Sequence, residues 1–233
     1  MTPIYQEDFL ALLGIDPTLL LQTLLASPHW FRPTSYVKEV KRRQLYVSEV
    51  VQYGGNPKLK PGMAYYNLHE TAKWADVPVE LTTIRERLNA SYKCDFTFLS
   101  LLHYKDESVG IAPHQDANTE GDWNYPIAGI SLGTEREFWW ATIKDYKTEY
   151  EKLRQQFEKK YAKSTAKAKA KNQVLLNIGE HLTPKQGSLY VMPSGFQQDH
   201  FHAILKTDEP CEDRVSLTFR VHPNGLAAEA EAK

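Results

Sequence analysis

Apolar and polar positions along the chain follow two different periods. Asp16 and Pro17 precede a leucine-rich segment that ends at Leu25, which predicts a helix with Asp16 as its N-cap. A second helix is predicted over Val79–Ala90, because its apolar residues recur at helical spacing on one face. Those residues are Leu81, Ile84 and Leu88. We therefore expect a helical region over residues 1–35, and a lid with a supporting helix over 36–95.

Strand-like runs dominate the chain after residue 95. They are Phe96–Leu102, Ile127–Leu132, Glu137–Thr142, Gln173–Ile178, Ser188–Met192 and Arg214–Val221. The segment Phe31–Tyr66 also has the composition of strands and loops, with a turn predicted at Gly54–Pro57. Many short strands separated by turns are typical of a β-sandwich or a jelly roll.

One segment, between Ile143 and Asn172, interrupts these strands. Its apolar residues recur at steps of three and four, so they share one face of a helix. The opposite face is charged, and Lys144–Lys171 contains ten Lys or Arg against four Asp or Glu, a net charge of +6. The pattern predicts one long amphipathic helix, inserted between two strands and frayed at its basic end.

Composition narrows the class of protein further. The 233 residues are 42% hydrophobic and carry a formal net charge of -1, so nucleic-acid binding through overall basic charge is excluded. Cys94 and Cys211 form no paired motif, which favours two free thiols in a reducing compartment. Met1–Asp8 lacks the features of a signal peptide, and no apolar run is long enough to span a bilayer. We expect a cytoplasmic protein without a membrane partner; the oligomeric state is left open.

Candidate metal ligands occur in the motifs H-Q-D and H-F-H. His114 and Asp116 are two residues apart, and side chains at that spacing on an extended chain point to the same side. The third ligand would be His200 or His202, between which the spacing does not choose. Two imidazoles and one carboxylate can hold one face of a ferrous ion and leave its other positions open.

A pair of arginines follows these ligands. Arg214 and Arg220 lie in the run R-V-S-L-T-F-R, and a guanidinium binds a carboxylate as a rigid fork. A metal site followed by such a clamp for a dicarboxylate indicates an iron oxygenase that consumes 2-oxoglutarate.

The same residues carry a resemblance to a known family. Its motifs are Tyr104 ten residues before His114, Ile130–Gly133 with Arg136 and Phe138, Gly187–Met192, Gln197 with His200 and His202, and Arg214–Arg220. Over about Tyr36–Val221, with these motifs as the most specific parts of the match, the chain resembles the AlkB-like branch of the Fe(II)/2-oxoglutarate-dependent dioxygenases. The resemblance implies a single α+β domain: a double-stranded β-helix, or jelly roll, with flanking N-terminal helices. The core would span 96–222 with the inserted charged helix at 143–172, followed by a flexible tail at 223–233.

The resemblance also implies roles for individual residues. When the chain is aligned with the motifs of the family, the iron ligands would be His114, Asp116 and His202. These three residues would also form the catalytic group. The residues expected to hold 2-oxoglutarate are Arg214, Arg220, Tyr104 and Ser216. The cofactors would be Fe(II), 2-oxoglutarate and O2, and the reaction would hydroxylate a C–H bond; on an N-methyl group this releases formaldehyde, which is oxidative demethylation.

Substrate recognition is expected in the lid, where basic residues alternate with tyrosines between Val40 and Asn67. That mixture suits contact with phosphates and stacking on bases, although ordinary strand tyrosines and a solvated charged face would look the same. Candidate substrate residues are Tyr65, Tyr66, Asn118 and Arg43. Asn118 stands where many members of the family have an acid, and Leu102 replaces the asparagine that the family usually has two residues before Tyr104.

Three functions remain open at this stage. The first is oxidative demethylation or hydroxylation of bases in DNA or RNA, in alkylation repair or base modification. The second is hydroxylation of a protein side chain or a small molecule by the same chemistry. The third is a non-catalytic nucleic-acid-binding protein that keeps the fold, which the intact metal and cosubstrate motifs disfavour.

Overall fold

The computed structural model of the protein describes residues 1–35, 38–39, 41–49, 52–54, 68–116, 122–161 and 167–221. The helices are α1 (Phe9–Leu12), α2 (Pro17–Leu25), α3 (Val79–Tyr92), α4 (Ile143–Tyr161), α5 (Lys167–Ile178) and α6 (Phe196–Asp199). The first seven strands are β1 (Ile4–Gln6), β2 (Thr34–Ser35), β3 (Lys38–Glu39), β4 (Arg43–Val47), β5 (Gln52–Gly54), β6 (Leu68–Glu70) and β7 (Phe98–Tyr104). The others are β8 (Ile111–His114), β9 (Ile127–Gly133), β10 (Phe138–Thr142), β11 (Glu180–Leu182), β12 (Leu189–Met192), β13 (His200–Ile204) and β14 (Arg214–Arg220).

Two antiparallel sheets form the core. The major sheet has six strands in the order β1-β12-β9-β14-β7-β4, and the minor sheet has four in the order β11-β10-β13-β8. Two further pairs, β2 with β3 and β5 with β6, form short ribbons. This arrangement confirms the predicted α+β fold with a jelly-roll core.

Helices cover the outer face of the major sheet. The side chain of Asp16 accepts hydrogen bonds from the backbone N–H groups of Thr18 and Leu19, which confirms the predicted N-cap. The apolar face of α3 is buried as predicted, in a cluster that also takes residues from α2, β7, β9 and β14. Alternation along β14 sends Val215, Leu217 and Phe219 into this cluster and leaves its polar residues facing the minor sheet.

The inserted segment differs from its prediction. Two helices, α4 and α5, replace the single helix expected over 143–172, and α5 continues to Ile178. The strand predicted over Gln173–Ile178 is wrong, and β11 follows it instead. A short apolar run fits a helix and a strand equally well, and here the packing decides, because the Trp139 indole N–H donates to the Leu175 carbonyl oxygen at 2.7 Å.

The two inserted helices form a hairpin on the outer face of the minor sheet. Tyr146 and Tyr150, near the start of α4, pack with residues near the end of α5, so the helices run antiparallel. Trp139 on β10 and Ala203 on β13 lie in the same cluster. The minor sheet is therefore covered on both faces, by the hairpin outside and by the major sheet inside.

Two smaller expectations can also be compared with the structure. Cys94 and Cys211 are both free thiols, as predicted. In the described ranges, no helix combines the length and the apolar character needed to cross a bilayer.

Candidate metal and cosubstrate site

Three predicted ligands meet between the two sheets. His202 on β13 lies directly opposite His114 on β8, and their ring centres are 4.4 Å apart. Asp116 follows β8, with one carboxylate oxygen 3.5 Å from His114 Nε2 and the other 3.8 Å from His202 Nε2. One donor atom from each residue lies within 4.8 Å of the other two, so the three side chains can hold a single metal ion.

Local contacts orient the first histidine. His114 Nδ1 lies 2.9 Å from the carbonyl oxygen of Ala112, which can only accept a hydrogen bond. The proton of a neutral ring therefore resides on Nδ1, and Nε2 presents its lone pair. A backbone acceptor on one ring nitrogen is the usual way in which a protein fixes a metal-binding histidine.

The protonation states of Asp116 and His202 suit the binding of a metal cation. Burial alone would raise the pKa of Asp116, but the guanidinium of Arg220, with His202 and His114, outweighs burial and holds that pKa far below its usual range. Burial, reinforced by His114, lowers the pKa of His202 to about 3. At neutral pH the carboxylate is ionised and the imidazole is neutral, which are the forms that coordinate metals.

Arg214 lies at the start of β14 and is fully buried, with 0% of its surface exposed. None of its three guanidinium nitrogens has a hydrogen-bond acceptor among the residues that the structure describes. The carbon at the centre of the guanidinium lies 5.0 Å from the centre of the Tyr104 ring, and the Tyr104 hydroxyl, also buried, has no partner in the same ranges. A buried cation without an acceptor is costly, so this cluster of donors fits a carboxylate ligand.

Strand register brings the remaining cosubstrate residues to the same side. Ser216 pairs with Ser131 on β9 and with Leu102 on β7, and directly opposed residues of antiparallel strands share a face. The Tyr190 hydroxyl lies 3.2 Å from the Ser216 hydroxyl. A cavity of about 40 Å³ is lined by the three metal-ligand candidates together with Tyr104, Ser216 and Arg220.

Arg220 has a more direct contact than the sequence indicated. It was expected to help hold 2-oxoglutarate, whereas in the structure its guanidinium forms an ion pair with the Asp116 carboxylate at 2.9 Å. The Arg220 side chain is therefore placed to hold a metal ligand, and a contact with the cosubstrate stays a prediction.

The four substrate candidates are only partly within the described chain. Tyr65, Tyr66 and Asn118 lie outside the described residues. Arg43 donates from Nε to His103 Nδ1 at 2.9 Å and lies over the Trp30 ring, so its head group is engaged within the protein. Its role in substrate binding stays a prediction.

Two polar residues near the site were not predicted from the sequence to take part in it. Ser131, within the I-S-L-G motif, is fully buried, and its hydroxyl has no partner among the described residues. Gln197, which served only to align the motif around His202, forms hydrogen bonds with Asp116 through both atoms of its amide group. Alternation along β9 could have identified Ser131, but nothing in the sequence connects Gln197 with Asp116.

Comparison with known proteins agrees with this geometry. The family model described as the 2OG-Fe(II) oxygenase superfamily matches residues 16–220. The DNA oxidative demethylase ALKBH2 of Arabidopsis thaliana is 32% identical over 155 residues, an alignment that covers 64% of this chain and 45% of that protein. The chain thus spans less than half the length of this relative.

Solved structures share the fold. The structure of OsALKBH1 matches with a TM-score of 0.55 and 13% identity, over 94% of this chain and 97% of that one. A prolyl hydroxylase from Trichoplax adhaerens, in complex with a hypoxia inducible factor peptide, matches with a TM-score of 0.48 and 11% identity, over 94% and 83% of the two chains. The second match is too distant to add to the assignment.

The family match covers nearly the whole described chain, and the donor atoms of His114, Asp116 and His202 are close enough to share one metal ion. Fe(II) and 2-oxoglutarate are the metal and the cosubstrate that this family implies. The resemblance, first based on short motifs, is confirmed by the family model and by the similarity to ALKBH2, and the structure of OsALKBH1 shows the same fold. The chain therefore belongs to the 2OG-Fe(II) oxygenase superfamily and is AlkB-like.

Proposed function

We propose that this protein oxidises modified bases in nucleic acid, and that it removes N-methyl groups by hydroxylation. The observation that supports the chemistry is the meeting of His114, Asp116 and His202 at a cavity that Tyr104 also lines, with the buried Arg214 packed against the Tyr104 ring. The support for the substrate class is the 32% identity to a plant protein named as a DNA oxidative demethylase.

Each part of the site has a proposed task. His114, Asp116 and His202 bind Fe(II), and their donor set is the one that non-haem iron oxygenases use. Arg214 binds the distal carboxylate of 2-oxoglutarate, assisted by the Tyr104 hydroxyl. Ser216 and Arg220 line the cavity, and Ser131 lies opposite Ser216 on the neighbouring strand; we assign these three residues to the rest of the cosubstrate pocket.

Bound Fe(II) and 2-oxoglutarate supply the oxidation, in which O2 converts a substrate C–H into C–OH while the keto acid becomes succinate and CO2. The protein orients the ligands and excludes water from them. Leu102, Ile111 and Met192 give the cavity an apolar wall, which strengthens the charge interactions inside it. On an N-methyl group the product is N–CH2OH. Its C–N bond breaks, the proton of its hydroxyl group passes to the nitrogen, and formaldehyde leaves.

A first experiment separates catalysis from substrate choice. Wild-type protein is given Fe(II), ascorbate and 2-oxoglutarate with methylated DNA or RNA oligonucleotides, and mass spectrometry follows the loss of one methyl mass. We expect demethylation together with succinate formation. Succinate formation without any change in every DNA and RNA substrate would contradict the nucleic-acid assignment and favour a protein or small-molecule substrate.

A second experiment tests the metal ligands. His114→Ala and Asp116→Ala should abolish succinate production, because each removes one of three ligands. The matched control is His181→Ala, which changes an exposed histidine of β11. Full turnover in either ligand variant would refute the proposed metal centre.

A further inference from the structure

We propose that Gln197 is the positioning residue for the metal ligand Asp116. In this role its amide sets the direction of the carboxylate and joins the chain after β8 to the short helix α6 before β13. The inference rests on the proposed iron-binding role of Asp116 and is independent of which substrate the enzyme takes.

The side-chain amide of Gln197 forms two hydrogen bonds with Asp116, which together close a ring. Its oxygen accepts the backbone N–H of Asp116 at 3.1 Å, and its nitrogen donates to Asp116 Oδ2 at 3.2 Å. A backbone N–H only donates and a carboxylate only accepts, so this pairing also fixes which amide atom is oxygen. Gln197 is 2% exposed, and little water reaches the amide to compete for these bonds.

Further hydrogen bonds join the same two segments. The side-chain amide of Gln115 donates to the backbone carbonyl oxygen of Gln197. The indole N–H of Trp123 donates to the Asp116 carbonyl oxygen at 2.9 Å, and the Trp123 carbonyl oxygen accepts from Gly195 N–H at 2.7 Å. The backbone of Asp116 is therefore held at its N–H by Gln197 and at its carbonyl by Trp123.

These hydrogen bonds connect the two segments of the chain that carry the metal ligands. Asp116 follows β8, which carries His114, whereas Gln197 lies in α6, directly before β13, which carries His202. The two strands pair with each other in the minor sheet. Gln197 thus provides a second link between these ligand-bearing segments, outside the strand pairing.

The neutral amide has a function that a second cation could not fulfil. Asp116 Oδ2 already faces the Arg220 guanidinium at 2.9 Å, while Oδ1 lies on the side of His114. Another positive group there would compete with a divalent ion for the carboxylate. Gln197 instead holds Oδ2 and the backbone without adding charge, which leaves the electrostatic attraction of Asp116 for a metal intact.

Metal titration of the protein without iron tests this role. Mn(II) or Co(II) serves as a redox-stable probe, and affinity is measured for wild type, Gln197→Met and Gln197→Glu. Methionine keeps the unbranched shape without these hydrogen bonds, and glutamate keeps an acceptor but places a carboxylate against Oδ2. Loss of an outer partner of a metal ligand typically weakens metal affinity about 10- to 100-fold, and we expect both variants to fall in that range.

The neighbouring Gln198 supplies a matched control, because it is the same residue type in the same short helix but is exposed. Gln198→Met should bind metal like wild type. In turnover assays, Gln197→Met should raise the Fe(II) requirement while leaving the 2-oxoglutarate KM unchanged at saturating iron. A purely structural role would instead lower the melting temperature of the metal-free protein and leave the metal affinity of the folded fraction unchanged.

Unchanged metal affinity in both Gln197 variants would overturn the inference. Asp116→Ala, measured beside them, keeps this failure distinct from failure of the proposed function. If Asp116→Ala loses metal while the Gln197 variants do not, Gln197 has no positioning role and the iron site stands. If Asp116→Ala binds metal like wild type, the iron assignment is wrong, and the inference falls with it.

Discussion

Replacing Arg214 with methionine should have opposite effects on the free protein and on its complex with 2-oxoglutarate. Arg214 is fully buried, and its guanidinium has no acceptor among the described residues. Replacing a buried ion pair with apolar residues of similar volume is often neutral or stabilising, by up to about 4 kcal/mol. A buried guanidinium without an acceptor has the desolvation cost and no pairing to offset it. We therefore expect Arg214→Met to raise the free energy of unfolding of the protein without cosubstrate.

Cosubstrate binding should move in the other direction. Truncating one partner of a buried, hydrogen-bonded charge pair typically costs about 2–5 kcal/mol, so a 100-fold rise in the Kd for 2-oxoglutarate, about 2.7 kcal/mol, lies within the expected range. At a concentration 100 times the wild-type Kd, 2-oxoglutarate stabilises the wild type by about 2.7 kcal/mol and such a variant by only about 0.4 kcal/mol. For a chain of this length each kcal/mol shifts the melting temperature by about 2–4 °C. The expected shifts are then about 5–11 °C for wild type and about 1–2 °C for the variant.

The assay is thermal unfolding in the presence of Mn(II), with and without 2-oxoglutarate. Arg154→Met, which changes an arginine of α4 whose side chain is 46% exposed, controls for loss of a positive charge. A cosubstrate-induced shift in Arg214→Met equal to that of wild type would refute the assignment of Arg214 to the dicarboxylate.

Four further variants, of which Leu19→Ala is a control, test the stability of the fold by urea-induced unfolding. Leu88→Ala should cost about 2–5 kcal/mol because it opens a cavity in the main core, whereas Leu19→Ala, at an exposed position of α2, should change stability by less than about 0.5 kcal/mol; equal effects would contradict the described burial. Gly129→Ala should cost about 1–3 kcal/mol, because its new methyl carbon would lie 2.2 Å from the Tyr190 ring, and wild-type stability would show that the ring does not lie there. Asp16→Ala should cost about 1 kcal/mol through loss of the N-cap, while no measurable loss would show that the cap contributes nothing.

Local patterns were sufficient for most of the core. β7, β9, β12 and β14 all lie within two residues of their predicted bounds, because each is a run of strand-forming residues between turns. The insertion was predicted less well. The run Gln173–Ile178 became helical because the packing of α5 against Trp139 and α4 favours that form, and a single sequence does not encode such long-range contacts explicitly.

The metal site was predictable to a similar extent. The spacing of His114 and Asp116 placed both on one side, but the choice between His200 and His202 needed the family resemblance. Both histidines are buried on β13; His202 meets His114, whereas His200 stacks on Phe196, with ring centres 4.5 Å apart. The cytoplasmic location also stays a prediction.

The register of β8 and β13 in the minor sheet has a consequence for how this protein would fold. His114 and His202 face each other only because β8 and β13 pair at that alignment. A slip of one residue would bring Pro113 or Gln115 opposite His202 and turn the His114 imidazole to the other side of the sheet. An ion bound by both histidines would thus stabilise the correct alignment of the two strands. Iron binding and folding of the protein would then be thermodynamically linked.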